Sequence, residues 1–339
     1  VEDATKPLAL VAPAAERPLE IWAVSDGRIG MVNQALGLAE AIARLAPARI
    51  VTKRVVWRQG YDRLPGLLKW NVRQGLSPEA DRFEAPWPDL MIAVGRQTVA
   101  MSRAVRRWSK GRTFVVQVQN PRWPSRAFDA VIPPRHDKLA GRNVIPVTGS
   151  VHRVTPERTA ADYAQFREAL EPLPHPRVAV LVGGTSKGFD LSEERATQLA
   201  AQIALAVETE GGSVLLTFSR RTPEPARDAM TAKLKRLPGL IWDDQPPNPY
   251  FAFLEAADYI LVTEDSTNMA TEAVSTGKPV FVMKMDGSSD KFRRFHQELE
   301  ALDAARPWGG TLFKWDYEPL RDTEKAAAAV LRMMRDRAG

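Results

Sequence analysis

"YILVTEDSTNMATEAVSTGKPVFVM", residues 259–283, runs from an apolar stretch through a polar hinge into a helical pattern and out to a second apolar stretch. Strand, turn, helix and strand in that order make the repeating unit of a parallel α/β sheet. Ser266 falls at the N-cap of the helix, where its hydroxyl can accept a backbone N–H from two or three residues on. The free amides there carry partial positive charge and suit an anion, yet Glu264 and Asp265 stand beside them and would repel a phosphate. Two readings meet this conflict. Asp265 and Ser266 serve only to cap the helix, or carboxylates and amides at the strand end hold sugar or ribose hydroxyls while phosphates lie nearer the helix amides.

Outward from this unit the same rhythm recurs. Apolar runs at 178–184, 213–219 and 239–244 precede it, with helical patterns near 191–209, 223–236 and 248–256. Runs at 19–25, 49–57, 90–95 and 113–119 form an earlier series, in which Val32, Ala35, Leu36, Ala39, Ile42 and Leu45 make one apolar helical stripe. "EPLPHPR" (171–177) parts the two series, because its prolines forbid a regular helix. The chain therefore divides into a loose leader (1–18), an N-terminal domain (19–170), a C-terminal domain (177–305) and a final segment (306–339). The amphipathic helix of that segment, 322–337, would cross back onto the first domain. Ligands of open α/β sheets sit beyond the carboxyl ends of the strands, so two such domains in tandem would enclose a cleft.

Composition narrows the classes. With 339 residues, 44% of them hydrophobic and 26% charged, the chain can bury two cores. It has no apolar run of about 18 residues, the length a membrane-spanning helix needs. Cysteine is absent, which excludes disulfides, thiolate catalysis and cysteine-bound zinc. The four histidines, His136, His152, His175 and His296, contain no pair at helical metal-ligand spacing, so no metal site is expected. Lysine and arginine exceed aspartate and glutamate by 47 to 41, a balance that favours anionic partners without choosing among them. "RAVRRW" (103–108) and "KFRRF" (291–295) mix basic and aromatic residues but belong to no recognition motif; they read as solvated helix faces, and no nucleic acid is expected.

Three loops of the second half fall at carboxyl ends of strands. Besides the hinge at 264–269, "LVGGTSKGF" (181–189) offers Gly184, Thr185, Ser186 and Lys187, and "FSRRTP" (218–223) offers Arg220 and Arg221. The first is not a P-loop, since Lys187 precedes Gly188; it is either a plain glycine turn or a place where amides approach a diphosphate. The loop 243–254, with Asn248 among prolines, is an ordinary turn or part of a base or ribose pocket. In the first half, "SDGRIGMVNQALGL" (25–38) sets Asp26, Arg28, Gly30, Asn33 and Gln34 between strand and helix. Its glycines lack the G-x-G-x-x-G spacing, which disfavours a nicotinamide cofactor. Asp26 is a helix cap or a proton acceptor at a cleft. Arg96, Asn120, Arg122, Arg135, His136 and Asp137 would give the same domain a polar, largely basic lining.

In their order, "SDGRIGMVNQALGLAEAI", "AVGRQTV", "LVGGTSKGF", "NPYFAFLEAADYILVTEDSTNMATEA" and "KFRRFHQEL" resemble the mitochondrial-fission Elm family over most of residues 19–300. Residues 248–283 are also similar to the donor-binding half of GT-B glycosyltransferases. The resemblance implies two Rossmann-like doubly wound domains facing a central cleft, with a nucleotide-sugar donor on the C-terminal side and no cofactor. Ser266, Asn268 and Met269 would line the donor diphosphate and sugar, with Asp265 and Asn248 nearby, and Glu272 would hold the ribose hydroxyls. Gly184, Thr185, Ser186, Lys187 and Arg220 would neutralise the departing diphosphate. Arg28, Gly30, Asn33, Gln34 and Arg96 would face the acceptor. One departure is Met31, where related sequences often carry histidine.

The chemistry so implied is an inverting, metal-independent glycosyl transfer to a cell-envelope or lipid-linked acceptor, with Asp26 or His136 as the base. A nucleoside-diphosphate-sugar epimerase and a non-catalytic, membrane-associated scaffold are the alternatives. The protein would be cytoplasmic, peripheral at the inner face of a membrane, with an anionic lipid surface as partner and Trp70, Trp87, Trp108 and Trp123 as interfacial or core side chains.

Overall fold

The computed structural model describes residues 17–64, 69 and 71–338. Trp70 and the leader up to residue 16 lie outside the described residues. In the first half, β1 (Leu19–Ser25), α1 (Ile29–Ala43), β2 (Ala48–Arg54), α2 (Val72–Gly75), β3 (Leu90–Val94), α3 (Val99–Trp108), β4 (Phe114–Val118) and β5 (Ala130–Ile132) precede a long connecting helix, α4 (Pro156–Leu170). The strands form a five-stranded sheet in the order β2-β1-β3-β4-β5, and every pairing is parallel.

The second half continues with β6 (Arg177–Val182), β7 (Phe189–Asp190), α5 (Glu193–Glu210), β8 (Ser213–Phe218), α6 (Glu224–Leu234), β9 (Gly239–Ile241), α7 (Tyr250–Ala256) and β10 (Tyr259–Thr263). Then come α8 (Thr267–Val274), β11 (Val280–Met283), β12 (Asp286–Gly287), α9 (Asp290–Ala301), β13 (Arg306–Pro307) and α10 (Asp322–Ala338). Its six-stranded sheet has the order β13-β11-β10-β6-β8-β9, while β7 and β12 make a separate antiparallel pair.

Both sheets are buried on two faces, which is why their strands read as apolar runs instead of alternating ones. Along β6, Val178, Val180 and Val182 enter one core cluster while Ala179 and Leu181 enter the other. The N-terminal sheet divides in the same way: Ile21 and Ala23 pack towards α1, and Trp22 and Val24 pack towards α3. Trp87, Trp108 and Trp123 lie partly buried against that second cluster.

Strand order decides where each sheet can bind. It reverses between β1 and β3 in the first half and between β6 and β10 in the second. Successive helices leave opposite faces at such a reversal, so a crevice opens at the carboxyl ends of the two central strands. The loops after β1, β3, β6 and β10 are therefore the ones placed to form sites.

α10 returns to the first half. Ala326, Ala327 and Val330 are fully buried in the same cluster as Ala35, Leu38 and Ile42 of α1. At its start, Asp322 Oδ2 accepts the Thr148 N–H at 2.7 Å and Thr323 Oγ1 accepts the His152 N–H at 3.2 Å. The connection that carries the chain from the first half to the second is thus pinned to its last helix.

Candidate functional site

The crevices of the two halves face each other across a cleft of about 490 Å³. One wall is the loop after β10 and the start of α8, Asp265 to Asn268, with Arg221, Lys291 and Phe292. The other holds Met31 and Gln34 of α1, Arg96 after β3, Gln119, Asn120 and Arg122 after β4, and His136 and Asp137 after β5.

The acidic pair at 264–265 is neutralised by the fold itself. Glu264 turns away from the cleft: its carboxylate accepts the Met285 N–H at 2.7 Å and Lys284 Nζ at 2.8 Å. Asp265 has a fully buried carboxylate, which accepts from Thr263 Oγ1 at 2.7 Å, from the Gly184 N–H at 3.0 Å and from Arg221 Nη2 at 2.8 Å. Its oxygens lie so near Gly183 that a Cβ there would sit 2.0 Å from Oδ1, so that position requires glycine. Ser266 caps α8 by accepting the Met269 N–H at 3.3 Å, and the first turn contains no acidic residue. The Thr267 and Asn268 amides begin α8 at the cleft, beside carboxylates that Arg221 and Lys284 already pair.

α1 meets α8 directly. Gln34 Nε2 donates to Asn268 Oδ1 at 3.0 Å, and Gln119 Nε2 donates to Gln34 Oε1 at 3.2 Å. Gly30 permits the approach, since a Cβ on it would lie 2.8 Å from Asn268 Nδ2. Gln119 and Arg122 hold φ of 70° and 50°, a left-handed conformation costly for residues other than glycine. Met31 takes part through its Sδ, 3.3 Å from Gln119 Nε2.

Other positions named from sequence take different places. Asp26 is not part of the cleft lining; its carboxylate accepts the Arg28 N–H at 3.1 Å and Arg28 Nε at 2.8 Å, closing the turn into α1. Asn33 likewise stays outside the lining. Asp265 cannot reach a sugar hydroxyl, because its carboxylate is buried and bonded. Arg221 enters the cleft instead of Arg220, which the turn after β8 exposes. In the loop after β6, Lys187 is exposed, Thr185 Oγ1 donates to Asp190 Oδ1 at 2.6 Å, and the Ser186 N–H bonds to the Phe189 carbonyl. Asn248 Oδ1 accepts the Tyr250 N–H at 3.0 Å, starting α7. Arg135 leaves the lining to lie 3.6 Å from Glu298. In the segment 291–295 the basic residues Lys291, Arg293 and Arg294 are exposed as expected, while Phe295 is fully buried and Lys291 reaches Asp137 at 3.1 Å across the cleft.

Two buried titratable groups flank the site. Glu272, on α8 next to partly buried Met269, accepts Tyr250 Oη at 2.7 Å. Burial pushes its carboxyl up to about 7, and burial beside Glu272 holds the Tyr250 phenol well above its ordinary range. His136 packs edge-on against Phe295 with neither ring nitrogen hydrogen-bonded. Burial, helped by the Lys291 charge, pulls its imidazole down to about 4 and keeps it neutral. No cluster of three or more metal-ligating side chains exists among the described residues.

Two Rossmann-like domains with their switch points turned to one cleft define a GT-B-like protein. Solved structures of that architecture align over nearly the whole chain. A UDP-GlcNAc 2-epimerase from Neisseria meningitidis bound to UDP-GlcNAc has a TM-score of 0.50 at 15% identity, covering 93% of this chain and 100% of its own. A UDP-glucosyltransferase from Polygonum tinctorium has a TM-score of 0.51 at 13% identity, covering 95% of this chain and 94% of its own. The family model described as mitochondrial fission ELM1 matches residues 29–334, and the chain belongs to that family. Mitochondrial fission protein ELM1 of Arabidopsis thaliana is 31% identical over 303 residues, 79% of this chain and 69% of that protein.

Proposed function

We propose that the cleft binds a nucleotide sugar and transfers its sugar to a hydroxyl acceptor. The observation that carries this reading is the start of α8, where amides face the cleft and the neighbouring carboxylates are already paired within the protein. A diphosphate there would meet the amides of Thr267 and Asn268, the guanidinium of Arg221 and, on the same wall, Lys291, with Arg96 and Arg122 across the cleft. These cations hold the leaving diphosphate without a metal ion in the scheme. Glu272, less than two helical turns into α8, lies outside the cleft lining with its carboxyl on Tyr250 Oη, so it would receive ribose hydroxyls only if that bond opened.

In the proposed step the acceptor oxygen attacks the anomeric carbon as its bond to the diphosphate breaks, and the acceptor proton passes to a base on the opposite wall. Each candidate carries a cost: His136 lines the cleft without a hydrogen-bond partner but is buried, with an imidazole held at about 4 that makes it a weak base, and both oxygens of Asp26 are engaged by Arg28 outside the lining. The acceptor we propose is a cell-envelope or lipid-linked alcohol, met by a protein peripheral to the inner face of an anionic membrane. No helix of the described residues is long and apolar enough to cross one.

Calorimetric titration with UDP and UDP-sugars, followed by assay for released UDP with and without added alcohols, tests the reading. Binding that Arg221→Ala weakens about tenfold, with UDP release dependent on acceptor, is the expected result. Donor conversion without acceptor would assign the cleft to epimerisation instead. No binding of any nucleotide would leave a scaffold.

A further inference from the structure

The end of α3 away from the cleft gathers positive charge that the cleft does not use. Arg103 stands three and four residues before Arg106 and Arg107, and Lys110 four and three residues after them, so one face of the helix and its following turn is basic. With Lys69 they line a groove of about 550 Å³ over Ala104, and among the described residues no acidic one lines it. α3 starts just after Arg96 at the cleft, and at about 1.5 Å per residue its far end lies roughly 15 Å away. The groove and the cleft are therefore separate places.

Like charges on one helix face repel, and this groove does little to relieve them. Arg106 reaches Asp129 at 3.1 Å, but Arg337 also approaches that carboxylate at 3.4 Å. Arg103, Arg107 and Lys110 have no ion-pair partner among the described residues. Arg103 lies half-buried over the Trp123 ring at 3.9 Å, where burial and then the Arg107 charge weaken its hold on its proton.

The helix macrodipole accounts for Arg106 and Arg107 in the last turn. It does not account for Arg103 in mid-helix; Lys69, from another segment, donates to the Asp62 carbonyl at 2.9 Å and lines the groove from there. Lys110 adds a second, independent sign. It holds φ of 54° just past the helix end, followed by Gly111 at 74°, where glycine is the usual residue and a side chain is costly.

We propose that this groove is a binding site for a phosphate-rich anion, a pyrophosphate or polyphosphate group either free in solution or carried as a lipid headgroup. Guanidinium forks pair bidentately with phosphate oxygens, and the crowding of fixed positive charge is relieved when several phosphates enter together. The inference is independent of what the cleft binds.

The test uses the full chain, tripolyphosphate as the soluble probe, and phosphatidylcholine vesicles with and without a pyrophosphate-headed lipid. Calorimetry reads the first and co-sedimentation the second. Arg107→Gln with Lys110→Gly removes two charges and places glycine where φ suits it, so a loss of binding does not report misfolding. Lys233→Gln with Lys235→Gln removes two exposed charges from the other domain as a control. The expected result is affinity lowered about tenfold or more by the first pair and unchanged by the second. An effect on tripolyphosphate alone identifies a soluble ligand, and an effect on vesicles alone a lipid. UDP titrated into the same variants reads the cleft separately, so failure there does not bear on the groove. Equal loss in both pairs, or no binding of either probe, would overturn the proposal.

Discussion

Asp265 shows how one side chain changes meaning between a sequence and a fold. In the sequence it is an acid beside a helix start, a potential ligand for hydroxyls and a threat to a phosphate. In the fold it is a buried acceptor that ties the loop after β6 to Arg221 and to its own strand end. Asp265→Ala would leave the Gly184 amide and the Arg221 guanidinium facing a void, and should cost about 3 kcal/mol in urea unfolding. Glu272 makes the opposite contribution. Its folded pKa, about 7, stands above its ordinary 4.5, so the folded state binds the proton more tightly. Stability is complete below about 4.5 and is lost as pH rises towards 7. Glu272→Gln, which keeps an acceptor for Tyr250, should therefore raise stability at pH 8 by an amount on the order of 3 kcal/mol and change little at pH 4. A melting-temperature series across that range measures it; an equal shift at both ends would contradict a buried, protonated carboxyl.

At the scale of elements, α8 is the piece on which both walls depend. Its first turn faces the cleft, Asn268 reaches α1, and its next turn packs against the connection from the first half. Gly149 in that connection has φ of 70°, and a Cβ on it would fall 1.9 Å from Thr271 Oγ1. Gly149→Ala combines a disfavoured backbone with a clash against a helix that cannot move without disturbing the cleft, and should cost about 2 kcal/mol or more. Thermal melts should show that loss, and nucleotide affinity should fall with it. The helix, its cap and the strands on either side were legible in residues 259–283, because apolar runs and an N-cap serine are local signals. Which side chains of the neighbouring loops enter the cleft was not legible. Arg220 and Arg221 are alike in type and adjacent; only the turn after β8 decides which points inward.

Over the whole molecule, the two halves are joined through buried polar contacts as well as packing. His152, on the connection, accepts the Val154 N–H through Nδ1 at 3.2 Å, and its Nε2 lies 2.8 Å from Ser275 Oγ on the opposite half. Burial lowers its pKa from 6.5 to about 4. The unfolded chain takes up a proton that the folded one refuses, so its contribution is present above about 6.5 and is lost as pH falls through 4. His152→Gln should flatten the acid side of the stability profile, as measured by melting temperature between those values; an unchanged slope would remove this group from the transition. By itself the sequence determined the doubly wound α/β class, the strand-to-helix loops at the carboxyl ends of the strands, the absence of cysteine chemistry and the resemblance to a family, since these depend on local pattern, composition and ordered motifs. Only the tertiary structure decided that Asp26 closes a turn, that Asp265 is internal, that Arg221, Gln119 and Lys291 belong to the cleft, and that α1 touches α8. The reason is physical: a loop residue's direction is set by packing and hydrogen bonds to segments far away in the chain, and those partners leave no mark in the spacing of the loop itself.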